Sequence, residues 1–271
     1  MPTPNHFKPH FKISGRSTKI QRIVNDSSHQ RPPFSNLTNP THHGSNLLSN
    51  RSCVTVTDST ETKVDPISAA ETRIELGIAY IQRGQFSRAK QDFEKALEFA
   101  PNYYRSQLSM AHYYEVVGEY KMAESRYRAA LKVAPNNGHV YHNYGTYLCK
   151  QGEFEKANQY FLDAVTRPNY YQIAESYENA GLCALKNKQF KSAQRYFEKS
   201  LEHEPLRPNA TIQLSALEVR NGDYQLARLR LMQFHQKYGY QSPSLAVLHQ
   251  LEVQTGNKAM ADKYQKLLKK Q

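Results

Sequence analysis

The sequence predicts an all-α fold: a superhelical solenoid of six helix pairs behind a segment that does not fold. Three observations carry that prediction. Glycines recur at a fixed interval from residue 84 onward. Small and aromatic residues recur at fixed offsets from them. None of the 19 tyrosines falls before Tyr80, which divides the 271-residue chain in two.

The first part, residues 1–68, is expected to be disordered. It is rich in Pro, Ser, Thr, Asn and His, and its aromatics are Phe7, Phe11 and Phe34. Such a composition cannot bury enough apolar area to offset the entropy of ordering. The basic excess, +12 overall, is spread along the chain without a block of like charge. That reads as a solvated basic surface, with attraction to anionic partners as the sharper alternative.

From residue 69 the chain repeats. The turn glycines Gly84, Gly118, Gly152, Gly222 and Gly256 are spaced 34, 34, 70 and 34 apart. The gap of 70 holds two repeats and a two-residue insertion, with Lys188 where a glycine is due. Six units follow, near 70–103, 104–137, 138–171, 174–207, 208–241 and 242–271.

In unit one, Leu76, Gly77 and Tyr80 lie on a first helix, and Ala89, Phe93 and Ala96 on a second. Pro101 then stops it. Units two to four repeat this as Ala111, Ala123, Tyr127 and Ala130, then Gly145, Ala157, Phe161 and Ala164, then Gly181, Ala193, Phe197 and Ser200. Unit five is weaker, and unit six keeps Leu248, Gly256 and Ala261 before a Lys-rich end, as a solenoid cap requires. This period and pattern resemble the tetratricopeptide repeat. No unit buries its apolar face alone, so the six must stack around a concave groove.

The sequence holds no nucleotide-binding glycine loop, no H-E-x-x-H and no G-x-S-x-G, so no enzyme, catalytic residue or cofactor is expected. His29, His42 and His43 lack Cys or carboxylate partners at ligand spacing, so no metal is expected. Cys149 and Cys183 read either as buried free thiols or as a disulfide, a choice that needs geometry. The tyrosines sit mostly at packing positions of the repeat, which disfavours nucleic acid. No run is long and apolar enough to span a membrane.

A protein-binding module remains. Repeat positions 2, 5, 9, 12 and 13 of each first helix are expected to face the groove. Units one and two place Ile74, Ile78, Ile81, Leu108 and His112 there, an apolar site for a helix or strand of a partner. Cochaperone repeats carry Lys and Asn at positions 5 and 9 of their first unit; Ile74 and Ile78 stand there, which argues against that class.

Two runs are more specific than the repeat. Lys63-Val64-Asp65-Pro66 with Glu71-Thr72-Arg73-Ile74-Glu75-Leu76-Gly77 resembles the start of the first repeat in the type IV pilus biogenesis PilF/PilW family. Arg167-Pro168-Asn169-Tyr170 through Glu175-Ser176-Tyr177-Glu178-Asn179-Ala180-Gly181-Leu182-Cys183-Ala184 resembles the same family across the insertion.

The resemblance covers about residues 53–271. It implies a pilotin: a non-enzymatic outer-membrane lipoprotein, expected as a monomer, that brings the secretin subunit of the pilus to the outer membrane and promotes its multimerisation. It also implies acylation at Cys53. Asn50-Arg51-Ser52 do not form a lipobox, and no apolar signal core is recognisable in residues 1–52; these are expected to be a misread upstream segment, the alternative being an unlipidated variant. The alternative client is another protein of the cell envelope, served by a general repeat scaffold.

Overall fold

The computed structural model describes residues 65–270. Residues 1–64 lie outside it, and with them the expectations for Cys53, His29, His42 and His43. Among the described residues the secondary structure is helical throughout, in six antiparallel pairs. Unit one pairs α1 (Pro66–Gln82) with α2 (Phe86–Phe99), and unit two α3 (Tyr104–Val116) with α4 (Tyr120–Val133). Unit three pairs α5 (Gly138–Lys150) with α6 (Phe154–Val165), and unit four α7 (Ile173–Lys186) with α8 (Phe190–His203). Unit five pairs α9 (Pro208–Asn221) with α10 (Tyr224–Tyr238), and unit six α11 (Ser242–Gln254) with α12 (Lys258–Leu268).

The expected boundary after residue 68 falls inside α1 and is corrected. Asp65 accepts a hydrogen bond from the Ser68 amide at 2.9 Å, and Pro66 opens the first turn. Together they start the helix one turn before the repeat does.

Each pair closes on the same contact. Position 8 of the first helix is Gly77, Ala111, Gly145, Gly181 or Ser215 in units one to five. Position 24 of the second is Phe93, Tyr127, Phe161, Phe197 or Leu231, each at most 4% exposed. A Cβ added to Gly77 would stand 2.4 Å from the Phe93 ring, and one on Gly181 2.6 Å from Phe197. Position 20 is Ala in all six units, from Ala89 to Ala261, and buried each time. These small residues set the helix spacing, and the rings fill the space so defined.

The reversal between paired helices needs one left-handed residue. Gly84 takes it with φ +70°, and Lys188 takes it at the matching place with φ +57°. Lys188 is therefore the missing glycine in conformation as well as in register. A side chain there costs about 1 kcal/mol.

The two-residue insertion has a packing role. Helix α6 ends at Val165, and the chain crosses residues 166–172 to reach α7. Asn169 turns it with φ +57° and drives Tyr170 into the joint between units three and four. A Cβ on Gly138 would overlap the Tyr170 ring at 2.5 Å, so that glycine makes room for it. The Tyr170 hydroxyl meets Ser176 Oγ at 2.6 Å. Ser176 Oγ meets His142 Nδ1 at 2.8 Å, and Asn179 Nδ2 meets His142 Nε2 at 3.0 Å. All four side chains are buried, so the joint is held by a connected polar network.

Gly77→Ala should lower the unfolding free energy by about 1–3 kcal/mol, because the overlap with Phe93 outweighs the better helix propensity. Lys188→Gly should raise it by about 1 kcal/mol. Urea melts followed by circular dichroism check both.

Candidate functional site

The first helices α1, α3, α5, α7, α9 and α11 touch one another in succession and form the inner wall of the solenoid. Polar and covalent links run from unit to unit along this wall. Glu71 Oε2 accepts from Arg105 at 2.9 Å. Glu115 accepts from Lys150 Nζ at 2.7 Å and from the Tyr127 hydroxyl. Glu178 accepts from Arg207 at 2.9 Å and from the Ala210 amide at 3.1 Å. Between units three and four the link is a disulfide: Cys149 and Cys183 are bonded, with their Cα atoms 5.8 Å apart. Geometry thus decides between the two readings of these cysteines. The bridge pins α5 to α7 beside the Tyr170 joint.

The expected apolar site does not survive as drawn. Ile74 is fully buried, Ile78 is 5% exposed and Leu108 4%. Ile74 and Ile78 pack with Phe93, Met110 and Tyr113, and Leu108 joins the cluster of Ala111, Tyr144 and Leu148. The reason is the close succession of first helices: unit two covers positions 5 and 9 of unit one. The solenoid itself takes these residues, and they offer a partner no surface. Ile81 is half-buried against the same cluster.

His112 is half-buried, and its Nε2 is buried without a hydrogen-bond partner. Burial holds its pKa below the ordinary histidine value; Glu115 raises it less, and Lys150 adds a small lowering. The ring is therefore neutral near pH 7.

What stays accessible on the wall lies lower, at position 13. Val116 is 40% exposed there in unit two, with Val117 beside it. Units three to five place Lys150, Lys186 and Arg220 at the same position, all exposed. Along position 13 the lip thus runs from the exposed Gln82 of unit one through the apolar Val116 to a basic row in units three to five. Sequence reasoning took the burial of positions 5 and 9 for accessibility; the change from Val116 to Lys150 and Lys186 was visible and went unused.

Positions 4 and 23, which face each other within a unit, were also missed. They hold the ion pair Arg73–Asp92 at 3.0 Å in unit one and the Gln107–Arg126 hydrogen bond at 3.3 Å in unit two. Units three and four use ring pairs there, Tyr141–Tyr160 at 5.8 Å and Tyr177–Tyr196 at 6.5 Å. Among the described residues, no three His, Cys, Asp or Glu side chains gather to hold a metal.

Comparison with known proteins agrees with this geometry. Tetratricopeptide repeat families match residues 70–103, 108–172 and 174–205. The type IV pilus assembly protein PilF of Pseudomonas aeruginosa is 32% identical over 195 residues, covering 71% of this chain and 77% of that protein. The chain belongs to the PilF family of type IV pilus assembly proteins. The solved structure of Pseudomonas aeruginosa PilF superposes with a TM-score of 0.66 at 31% identity, over 76% of this chain and 92% of that one. The structure of PilW, a widely conserved type IV pilus biogenesis factor, shares the fold with a TM-score of 0.64 at 24% identity, over 73% and 91% of the two chains. An uncharacterised protein of Haemophilus influenzae is 38% identical over 132 residues, 49% of this chain and 74% of its own. As a PilF-family member the chain is a non-enzymatic, protein-binding repeat module of pilus assembly.

The buried, neutral His112 gives a pH dependence. Its folded pKa lies below the unfolded value, so its contribution is complete above about pH 6.5 and is lost as pH falls from there toward the folded pKa. His235, also lowered by burial, acts in the same direction. Thermal melts between pH 7.5 and 5 should show a falling Tm, and His112→Leu should flatten part of that slope.

Proposed function

We propose that this PilF-family protein is a pilotin, which binds the secretin subunit of the type IV pilus and promotes its localisation and multimerisation in the outer membrane. The observation that carries the binding role is the inner wall. Five successive first helices, α1 to α9, are locked side by side by ion pairs, a buried polar network and a disulfide, so the groove is a stiff preformed surface. A stiff receptor orders little on binding, and more of the contact energy appears as affinity.

The site moves from the buried isoleucines to the accessible lip. Ile81, Val116 and Val117 form its apolar end, and Lys150 and Lys186 its basic continuation. A secretin segment with an apolar anchor followed by acidic residues fits that order. The disulfide supports an envelope location, since such bonds persist in the oxidising periplasm and are rare in the cytosol. Acylation of Cys53 is part of the same reading: an acyl chain there, upstream of Asp65, would hold the solenoid at the outer membrane by its N-terminal end.

The test must spare the core. Ile74→Asp or Leu108→Asp would bury a charge and unfold the repeat, so neither reports on binding. Val116→Asp with Val117→Asp places both charges at exposed positions. This double variant should keep its helicity and Tm within a few degrees. It should weaken secretin capture by about tenfold or more and reduce detergent-resistant secretin multimers in cells. Unchanged capture by this folded variant would remove the lip from the site. Normal multimers in a strain lacking the whole protein would remove the pilotin role.

A further inference from the structure

We propose that the outward face of α10 is a contact site for an anionic lipid surface. This helix exposes Leu226, Leu229 and Met232 at 56%, 56% and 53%, on one stripe of i, i+3, i+6 spacing. Its other exposed positions along that stripe are Gln225, Gln233 and Gln236, with Lys237 at the edge. The stripe is peculiar to unit five. The same repeat positions are Arg88, Gln91 and Glu94 in unit one, and Ser192, Arg195 and Glu198 in unit four. Packing of the repeat therefore does not require apolar residues there.

What flanks the stripe names the occupant. The second helices of the neighbouring units carry Lys191, Arg195 and Lys199 on α8, and Lys258, Lys263 and Lys266 on α12, all exposed. Against these six cations the same two helices carry three carboxylates, Glu198, Glu202 and Asp262. Among the described residues, none of the six is in an ion pair. An uncharged apolar strip between two basic rows is the pattern of a surface that settles into the headgroup region of an anionic bilayer. No described helix is long and apolar enough to cross a membrane, so the contact is interfacial. A second copy of the chain fits less well. Three half-exposed side chains offer far less than the roughly 800 Å² per partner that a stable protein interface buries, and two basic flanks would repel their like. The face lies on the second helices and leaves the inner wall of first helices free for a protein client.

The chain contains no tryptophan, so Met232→Trp installs a single fluorescent reporter on the stripe. The full chain, without an acyl group, is mixed with vesicles of phosphatidylcholine, with and without phosphatidylglycerol. The expected result is cosedimentation and a blue-shifted tryptophan emission with the phosphatidylglycerol vesicles alone, weakened by salt. Leu226→Asp with Leu229→Asp, and separately Lys263→Glu with Lys266→Glu, should each weaken the cosedimentation by about tenfold or more while keeping the circular dichroism of the parent. Four results would each overturn the proposal. They are absence of cosedimentation, cosedimentation without an emission shift of the reporter, a shift produced by purified secretin rather than by vesicles, and a lipid-free dimer that the two leucine substitutions dissolve.

Discussion

The flat contact between a small residue on one helix and a ring on its partner is what the rest of the solenoid depends on. Gly77 against Phe93 and Gly181 against Phe197 bring two backbones closer than any side chain at position 8 beyond glycine allows. A glycine inside a helix costs about 1 kcal/mol against alanine. Burying the whole phenylalanine ring returns about 1.5–3 kcal/mol. Ala111 with Tyr127, and Ser215 with Leu231, show that the pair varies together. Where the ring shrinks to Leu231, the fully buried Phe234 one turn later fills the space. Helix spacing, unit spacing and the inner wall follow from this one contact, because each unit can cover its neighbour only if its own helices lie close.

Coverage is also why the fold was legible and the site only half so. The 34-residue period, the turn glycines and the alanines at position 20 are local signals, and each reports a requirement of its own unit. They placed all six units, down to Lys188 standing in for a glycine. The start of α1 lies outside the 34-residue period, because the Asp65 cap and Pro66 belong to no repeat position. Ile74, Ile78 and Leu108 were misjudged for a different reason. Their burial is decided by the next unit, 34 residues away, and a pattern within one helix carries no trace of that. The pairs at positions 4 and 23 escaped notice because their chemistry changes from ion pair to hydrogen bond to paired rings while the two positions keep facing each other.

The joint between units three and four differs in kind from the others. Elsewhere along the wall one carboxylate, Glu71, Glu115 or Glu178, carries the polar link between successive units. Here a disulfide, a seated tyrosine and a buried imidazole with two hydrogen-bond partners act together. The insertion that delivers Tyr170 also leaves Tyr171 84% exposed. A solenoid whose neighbours meet only pairwise bends most easily at its weakest interface. Reinforcing the middle joint keeps the two halves of the groove in one fixed curvature. That matters more for a long client segment, which must match both halves at once, than for a short one.

The two faces of the molecule answer different demands, and their chemistry stays apart for a physical reason. A groove that accepts a segment of protein gains from stiffness and from a few placed charges, which is what the wall links and the row of Lys150, Lys186 and Arg220 supply. A face that settles on lipid gains instead from apolar side chains without fixed partners and from cations that lose little water on approach. Among the described residues Lys263 and Lys266 of α12 are in no ion pair, whereas Arg207, Arg228 and Arg230 are tied to carboxylates within the solenoid. Arginine, with its planar fork, holds these three buried carboxylates, whereas the two lysines, on flexible stems, stay at the surface. The exposed cations of α8 and α12 thus form a set of their own, apart from the basic row of Lys150, Lys186 and Arg220 along the groove.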